Sequence, residues 1–270
     1  MSKNGQSLKD ALKSVFASSA ILIAFVVSIL VYIYVMGNPI NFEGGNPKGH
    51  PMPGNYLAMV YKGGFIVPIL MTCVLVVLII CIERFITIQR AKGKGRLNVF
   101  LKNLRGYLSA NQVDEAIQAC DKQRGSLASV MRAGLGKYKE LQNDQTMAKE
   151  QKILALQKEL EESTALELPM LSRNLVILST LASISVLIGL IGTVLGMIRA
   201  FAALAQAGSP DALALATGIS EALINTALGI STSALAIIFY NYFTTRIDKL
   251  TYSIDEAGFS LVQSYAANHA

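Results

Sequence analysis

Four long, predominantly apolar stretches divide this chain. Between the second and third, apolar and polar residues alternate at helical spacing. Val15 to Met36 holds 22 residues without a charge, Gly63 to Ile82 holds 20, and Asn174 to Ile198 holds 25. Asp211 and Arg246 bracket a fourth stretch of 34 residues whose single charge is Glu221. Roughly 20 apolar residues cross a bilayer as a helix, and lipid offers no partners to open strand edges. The pattern predicts an all-α integral membrane protein with four transmembrane helices and long cytoplasmic helical extensions.

The region between the second and third stretches predicts helices over 97–108, 112–122 and 126–141, with apolar residues near period 3.6. Asn111 is the expected cap of the second of these. A further helix from Thr146 is expected to run through Pro169 into the third span. The outer segment 38–55 is rich in Gly, Pro and Asn and reads as a turn-forming loop in which His50 is solvated. Three segments follow: 1–62 (N-terminal segment, first span and outer loop), 63–173 (second span and helical region) and 174–270 (last two spans and C-terminal helix).

Charge orients these elements. Only 16% of the residues are charged, below the quarter usual in soluble chains. Residues 83–173 carry 16 Lys and Arg against 11 acids, whereas 37–62 carries Lys48 and Lys62, and 199–213 carries only Arg199. The positive-inside rule places the N-terminus, the 83–173 region and the C-terminus in the cytoplasm. Lys3, Lys9 and Lys13 precede the first span, which reads as a signal-anchor because its apolar core is long and no A-x-A site follows. The basic run AKGKGR at 91–96 suits contact with membrane lipids and lacks P-loop spacing. No nucleic-acid partner is implied. Cys73, Cys81 and Cys120 form no CxxC pair, and the two histidines do not make a metal site. No metal, cofactor or nucleophile–base pair is expected, so the chain does not read as an enzyme.

Candidate chemistry centres on Glu221, the one ionisable residue well inside a span. An ionised acid near the bilayer centre costs on the order of 2.5–3.5 kcal/mol or more, which makes it a functional candidate able to take and release a proton. A structural, hydrogen-bonded carboxyl is the alternative. Thr217, Glu221 and Asn225 are spaced by four and share a helix face that Thr232 extends, while Thr226 sits about 140° away from Glu221 on an ideal helix. The third span carries a row of small residues: Ala182, Ser185, Gly189, Gly192, Gly196 and Ala200. Such rows let backbones approach closely, and Gly192 and Gly196 form a GxxxG. Thr193 lies beside the row. No Lys or Arg within a span is expected to pair with Glu221, so its proton pathway would need further copies of the chain or another subunit.

Two blocks carry a resemblance: LSTLASISVLIGLIGTVLGMIRAFAALA at 178–205 and GISEALINTALGISTSALAIIFYNYF at 218–243. They resemble the MotA/TolQ/ExbB proton channel family, particularly its ExbB and TolQ branches. The resemblance implies a homopentamer in the bacterial inner membrane of a Gram-negative cell. The ring would surround a dimer of an ExbD- or TolR-like subunit and use the proton motive force to energise a TonB- or TolA-like transducer for outer-membrane transport. It also implies that Glu221 is the acidic residue of the last span and that Thr193 and Thr226 are pore threonines. An ExbB-like role is the leading expectation. A TolQ-like role, a flagellar or gliding-type stator, and a non-conducting scaffold are the alternatives. Two features depart from the family pattern: the additional first span, and Arg199 where a neutral polar residue is expected.

Overall fold

The computed structural model describes residues 19–47, 49–205 and 212–268, apart from the Leu213 side chain. Lys3, Lys9, Lys13, Lys48, Asp211 and His269 therefore lie outside the described residues, as do residues 15–18 of the first span. Nine helices are described: α1 Ser19–Met36, α2 Tyr56–Tyr61, α3 Ile66–Lys92, α4 Leu97–Ser109, α5 Val113–Gln123, α6 Gly125–Asn143, α7 Lys149–Ser172, α8 Leu175–Leu204 and α9 Ala212–Asn268. Among the described residues the only strand-like pairing is an isolated bridge between Phe42 and Pro51. Four helices are long and apolar enough to cross a membrane, so the chain is an all-α membrane protein. Its residues cluster into two compact units, Met1–Ile82 with Val176–Tyr240, and Glu83–Leu175 with Asn241–Ala270.

In the first unit α3 buries large side chains, Val67, Leu70, Val77 and Ile80, but α8 reverses the burial pattern of a soluble protein. On α8 the large residues Leu187, Ile191, Val194 and Ile198 are exposed, whereas Ser185, Gly189, Gly192, Gly196 and Ala200 are buried. Lipid solvates large aliphatic side chains as well as a protein core does, so helix association falls to small residues and close backbone packing. The 38–55 segment is built from two short 3₁₀ turns, Pro39–Asn41 and Glu43–Gly45. It is tied down by Asn41 Nδ2, which donates to Val35 O at 2.7 Å, and by Asn55 Nδ2, which donates to Asn41 Oδ1 at 2.9 Å. The Tyr32 hydroxyl donates to Tyr61 O at 3.1 Å, and the two rings stack at 4.6 Å. His50 is exposed, and its carbonyl accepts from Glu43 N at 3.0 Å.

The second unit is a bundle of large side chains. Leu104, Leu108, Met131, Leu135, Tyr138, Leu156, Leu261 and Tyr265 are almost wholly buried. Tyr138 meets Tyr265 edge-on at 4.7 Å, and Ser264 Oγ donates to Leu108 O at 2.9 Å. The predicted helices correspond to α4, α5, α6 and α7, but two local expectations are corrected. Asn111 does not cap α5. It follows α4 in the left-handed region at φ 55°, where Asn is tolerated, and its Oδ1 accepts from the Tyr138 hydroxyl at 3.1 Å. The helix through Pro169 does not continue into α8. It stops at Ser172, and Asn174 turns the chain at φ 64°.

Arg84 explains why that break is stable. The last carbonyls of a helix lack internal partners. Arg84 is 2% exposed, and its Nη1 donates to Leu171 O at 3.0 Å and Met170 O at 3.4 Å, while Nε donates to Glu83 Oε2 at 2.5 Å. A cation at a helix C-terminus also complements the dipole. Burial pushes the Glu83 carboxyl up, but hydrogen bonds and charge from Arg84, with Thr87 and Asn174, hold it below its ordinary value. The AKGKGR run folds as a tight turn against the α5–α6 junction. Gly93 sits at φ 81°, where a Cβ would collide with Arg124 O, and Lys94 N donates to Gln123 O at 2.6 Å.

Candidate functional site

The helical hairpin of α8 and α9 builds the site by close backbone contact. An added Cβ at Gly196 would lie 2.7 Å from Gly218 O and 2.8 Å from Ala222 N, and one at Gly192 would lie 2.5 Å from Asn225 Cβ. One at Gly189 would lie 2.9 Å from Asn225 O, and one at Gly229 would lie 2.6 Å from Ser185 O. Ser233 Oγ closes the far end by donating to Ala182 O at 2.5 Å. The small-residue row is thus occupied within one chain, and contact with further copies would use other faces.

Glu221 is 4% exposed on α9. The expectation that it lacks a basic partner is corrected: Arg199 Nη1 donates to Glu221 Oε1 at 2.5 Å and to Oε2 at 2.7 Å. The correction has a local cause. A span read from hydropathy ends at its first charge, Ile198 here, but α8 continues to Leu204 and carries Arg199 inside the helix. Paired charges are tolerated where lone ones are not. The pair is lopsided, with side-chain exposures of 50% for Arg199 and 5% for Glu221. The Phe65 ring centroid lies 5.8 Å from the guanidinium. On another side Gly64, at φ 75°, admits the carboxylate because a Cβ there would collide with Glu221 Oε1.

The polar residues around Glu221 point two ways. Asn225, one turn on, is fully buried, and its Nδ2 donates to Gly63 O at 2.8 Å. This bond fixes the turn before α3 that brings Gly64 to the carboxylate. Asn225 Oδ1 is buried without a hydrogen-bond donor among the described residues. Thr226 faces α8 instead, and its hydroxyl is hydrogen-bonded to that of Thr193. Thr193 also reaches Gly189 O at 3.1 Å, and Thr226 reaches Ala222 O at 3.2 Å. Each hydroxyl has one proton to give, so one threonine donates across the pair while the other donates to its own helix. Thr217 is half-buried one turn before Glu221, and Thr232 is buried, donating to Leu228 O at 2.7 Å.

The geometry brings together Glu221 with Arg199, and Thr193 with Thr226, across the same helix pair. In the sequence Arg199 stands out as a lone charge and a departure from pattern but not as a partner of Glu221. Nothing beyond the GG pair itself, between a tyrosine-rich helix and an apolar run, marks Gly63 and Gly64 as site residues. Among the described residues no cluster of three or more His, Cys, Asp or Glu side chains is placed to hold a metal.

Four apolar helices, with a carboxylate buried where α9 packs on α8, define a polytopic membrane protein. Residues 123–256 match the model of the MotA/TolQ/ExbB proton channel family, so the chain carries a domain of that family. It is 37% identical over 86 residues to an ExbB-like biopolymer transport protein of Synechocystis sp., covering 31% of this chain and 41% of that protein. It is 39% identical over 84 residues to the Tol-Pal system protein TolQ of Haemophilus influenzae, covering 31% of this chain and 37% of that one. A longer alignment, 27% identical over 219 residues, covers 79% of this chain and 90% of the biopolymer transport protein ExbB of Neisseria gonorrhoeae. The chain thus spans about two fifths of the length of the first two relatives.

Proposed function

We propose that this chain is the proton-channel subunit of an ExbB-like motor in the bacterial inner membrane. Its Glu221 takes up and releases the proton whose passage energises a TonB-like protein for outer-membrane transport. The observation that carries this reading is a single carboxylate, 4% exposed, held inside an apolar helix pair in a chain that carries a proton-channel family domain. An acid in such a place costs stability, and a proton relay is one of the roles for which acids are kept inside spans. Thr193, Thr226, Asn225 and Thr217 are assigned to the proton pathway beside it. Gly189, Gly192 and Gly196 set the helix spacing that places them. One carboxylate per chain suits a ring, here a homopentamer, around a dimer of an ExbD- or TolR-like subunit. A proton crossing 100 mV releases about 2.3 kcal/mol, so several crossings are needed to drive a large movement.

Glu221→Gln keeps the shape and removes the proton carrier. Expressed with its partner subunits, the variant is expected to reach the membrane at the normal level and to lose energised transport. Wild-type transport by this variant would refute the proton-carrier role. The TolQ-like reading draws on the Haemophilus influenzae relative, and complementation of ExbB-deficient and TolQ-deficient cells separates the two.

A further inference from the structure

Arg199 and Glu221 meet asymmetrically, and the asymmetry has a mechanical meaning. Both carboxylate oxygens are engaged by one nitrogen, Arg199 Nη1, at 2.5 and 2.7 Å. The other groups facing the carboxylate do not compete for it. Asn225 spends its Nδ2 on Gly63 O, and the Gly64 turn presents backbone. Tyr32 on α1 lies within electrostatic reach of both charges, but its hydroxyl donates to Tyr61 O. Arginine does not lose its proton in proteins, so the pair opens only by movement.

The two ends differ in their freedom to move. Glu221 is packed between helices on a short side chain that is 5% exposed. Arg199 has a long side chain that is 50% exposed, and its guanidinium lies 5.8 Å from the centroid of Phe65, a ring that is itself 56% exposed. An aromatic face gives the departing cation favourable contact outside the pair. A pair whose purpose was only to staple α8 to α9 would not need one mobile end, because the glycine seam already fixes those helices.

We infer that Arg199 is a latch on Glu221: guanidinium and proton compete for the same two oxygens, and Glu221 accepts a proton only while Arg199 is swung away. This deepens the proton-carrier reading and rests on it, by naming the device that decides when the carrier is open. No bond is made or broken beyond the O–H bond of the carboxyl, and Arg199 keeps its charge throughout. Arg199 is accordingly a positioning residue that acts through Glu221.

Dicyclohexylcarbodiimide, which modifies protonated carboxyl groups within membranes, reads the latch directly. Membranes containing the full chain and its partner subunits are treated at fixed neutral pH, and the modified Glu221 peptide is quantified by mass spectrometry. Arg199→Gln is expected to label about tenfold faster than wild type, the equivalent of roughly 1.4 kcal/mol of lost pairing. Arg199→Lys, which keeps the charge, is expected to stay near wild type, and Phe65→Leu, which removes the ring that receives the departing cation, to label more slowly than wild type. Unchanged labelling in a normally accumulating Arg199→Gln variant overturns the latch. If that variant fails to accumulate, Arg199→Met takes its place. Failure of both neutral variants while Arg199→Lys accumulates makes the pair a structural staple and also overturns it. The two readings fail separately. Fast labelling together with a transport-competent Glu221→Gln keeps the latch and removes the proton carrier, and unchanged labelling with an inactive Glu221→Gln does the reverse.

Discussion

The α8–α9 seam and the α4–α7 bundle are both helix packings, yet opposite kinds of residue hold them. In the seam, Gly189, Gly192 and Gly196 bring backbone against Gly218, Ala222, Asn225 and Gly229. In the bundle, Leu135, Met131, Leu104 and Tyr138 fill the interior at 1% exposure or less. The difference follows from the surroundings. Where water lies outside, burying large apolar side chains drives association, at about 1.5–3 kcal/mol for each one fully buried. Where lipid lies outside, that drive vanishes, and what remains is close contact between backbones and a few hydrogen bonds. Glycine is therefore a structural requirement along the seam, whereas Gly136 on the exposed face of the bundle is a cost.

The largest effect is expected from Gly196→Val. Its Cβ would stand 2.7 Å from Gly218 O and 2.8 Å from Ala222 N, backbone atoms that cannot give way without parting the helices. A loss of about 3 kcal/mol or more is expected, seen as failure to accumulate in the membrane. Normal accumulation and melting would mean that the seam is looser than described. Next is Leu135→Ala, at 0% exposure in the bundle. It should cost about 2–5 kcal/mol, lowering the melting temperature of the detergent-purified chain. A shift below 1 °C would show that the bundle does not depend on its large side chains.

A smaller effect tests the charge that closes α7. The folded Glu83 carboxyl lies below its ordinary value of 4.5. A depressed carboxylate contributes stability above that value and loses it as pH falls through the lower, folded value. Thermal melting between neutral pH and the acid range should therefore decline on acidification. Glu83→Gln should flatten that decline and lower the neutral-pH melting temperature, because Arg84 keeps its burial and loses its counter-ion. Parallel curves for the two proteins would remove Glu83 from the account.

The smallest effect has the opposite sign. Gly136 lies in the middle of α6, exposed, and a Cβ there meets nothing within 4 Å. Gly136→Ala should stabilise by about 0.4–1 kcal/mol, by reducing the freedom of the unfolded chain. A small rise in melting temperature is the expected reading, and a fall would show an unseen neighbour on that face.

Much of this was legible because its causes are local. A run of apolar residues specifies a spanning helix whatever its neighbours are. Period 3.6 marked α4, α5 and α6 to within a residue or two. Glu221 stood out as the one acid inside an apolar stretch, and the small-residue row on the third span stood out by its regular steps. Helix stops were less legible. Asn111 and Asn174 both end helices in the left-handed region, and an asparagine beside a helical pattern reads equally well as a start or a stop.

The tertiary structure alone decided the partnerships. Arg199 and Glu221 are 22 residues apart, Thr193 and Thr226 are 33 apart, and Arg84 closes a helix end 87 residues away. Gly64 meets the carboxylate from a turn 157 residues before it in the chain, and Gly63 O accepts from Asn225 across 162 residues. Sequence gave each residue's cost in the membrane, because transfer from water is a property of one side chain. Whether that cost is met depends on which group stands opposite, and no single-residue preference contains that information. Glu221 is the clearest instance: its sequence marked it as an acid that needs a partner, and only the packing of α8 on α9 supplied Arg199.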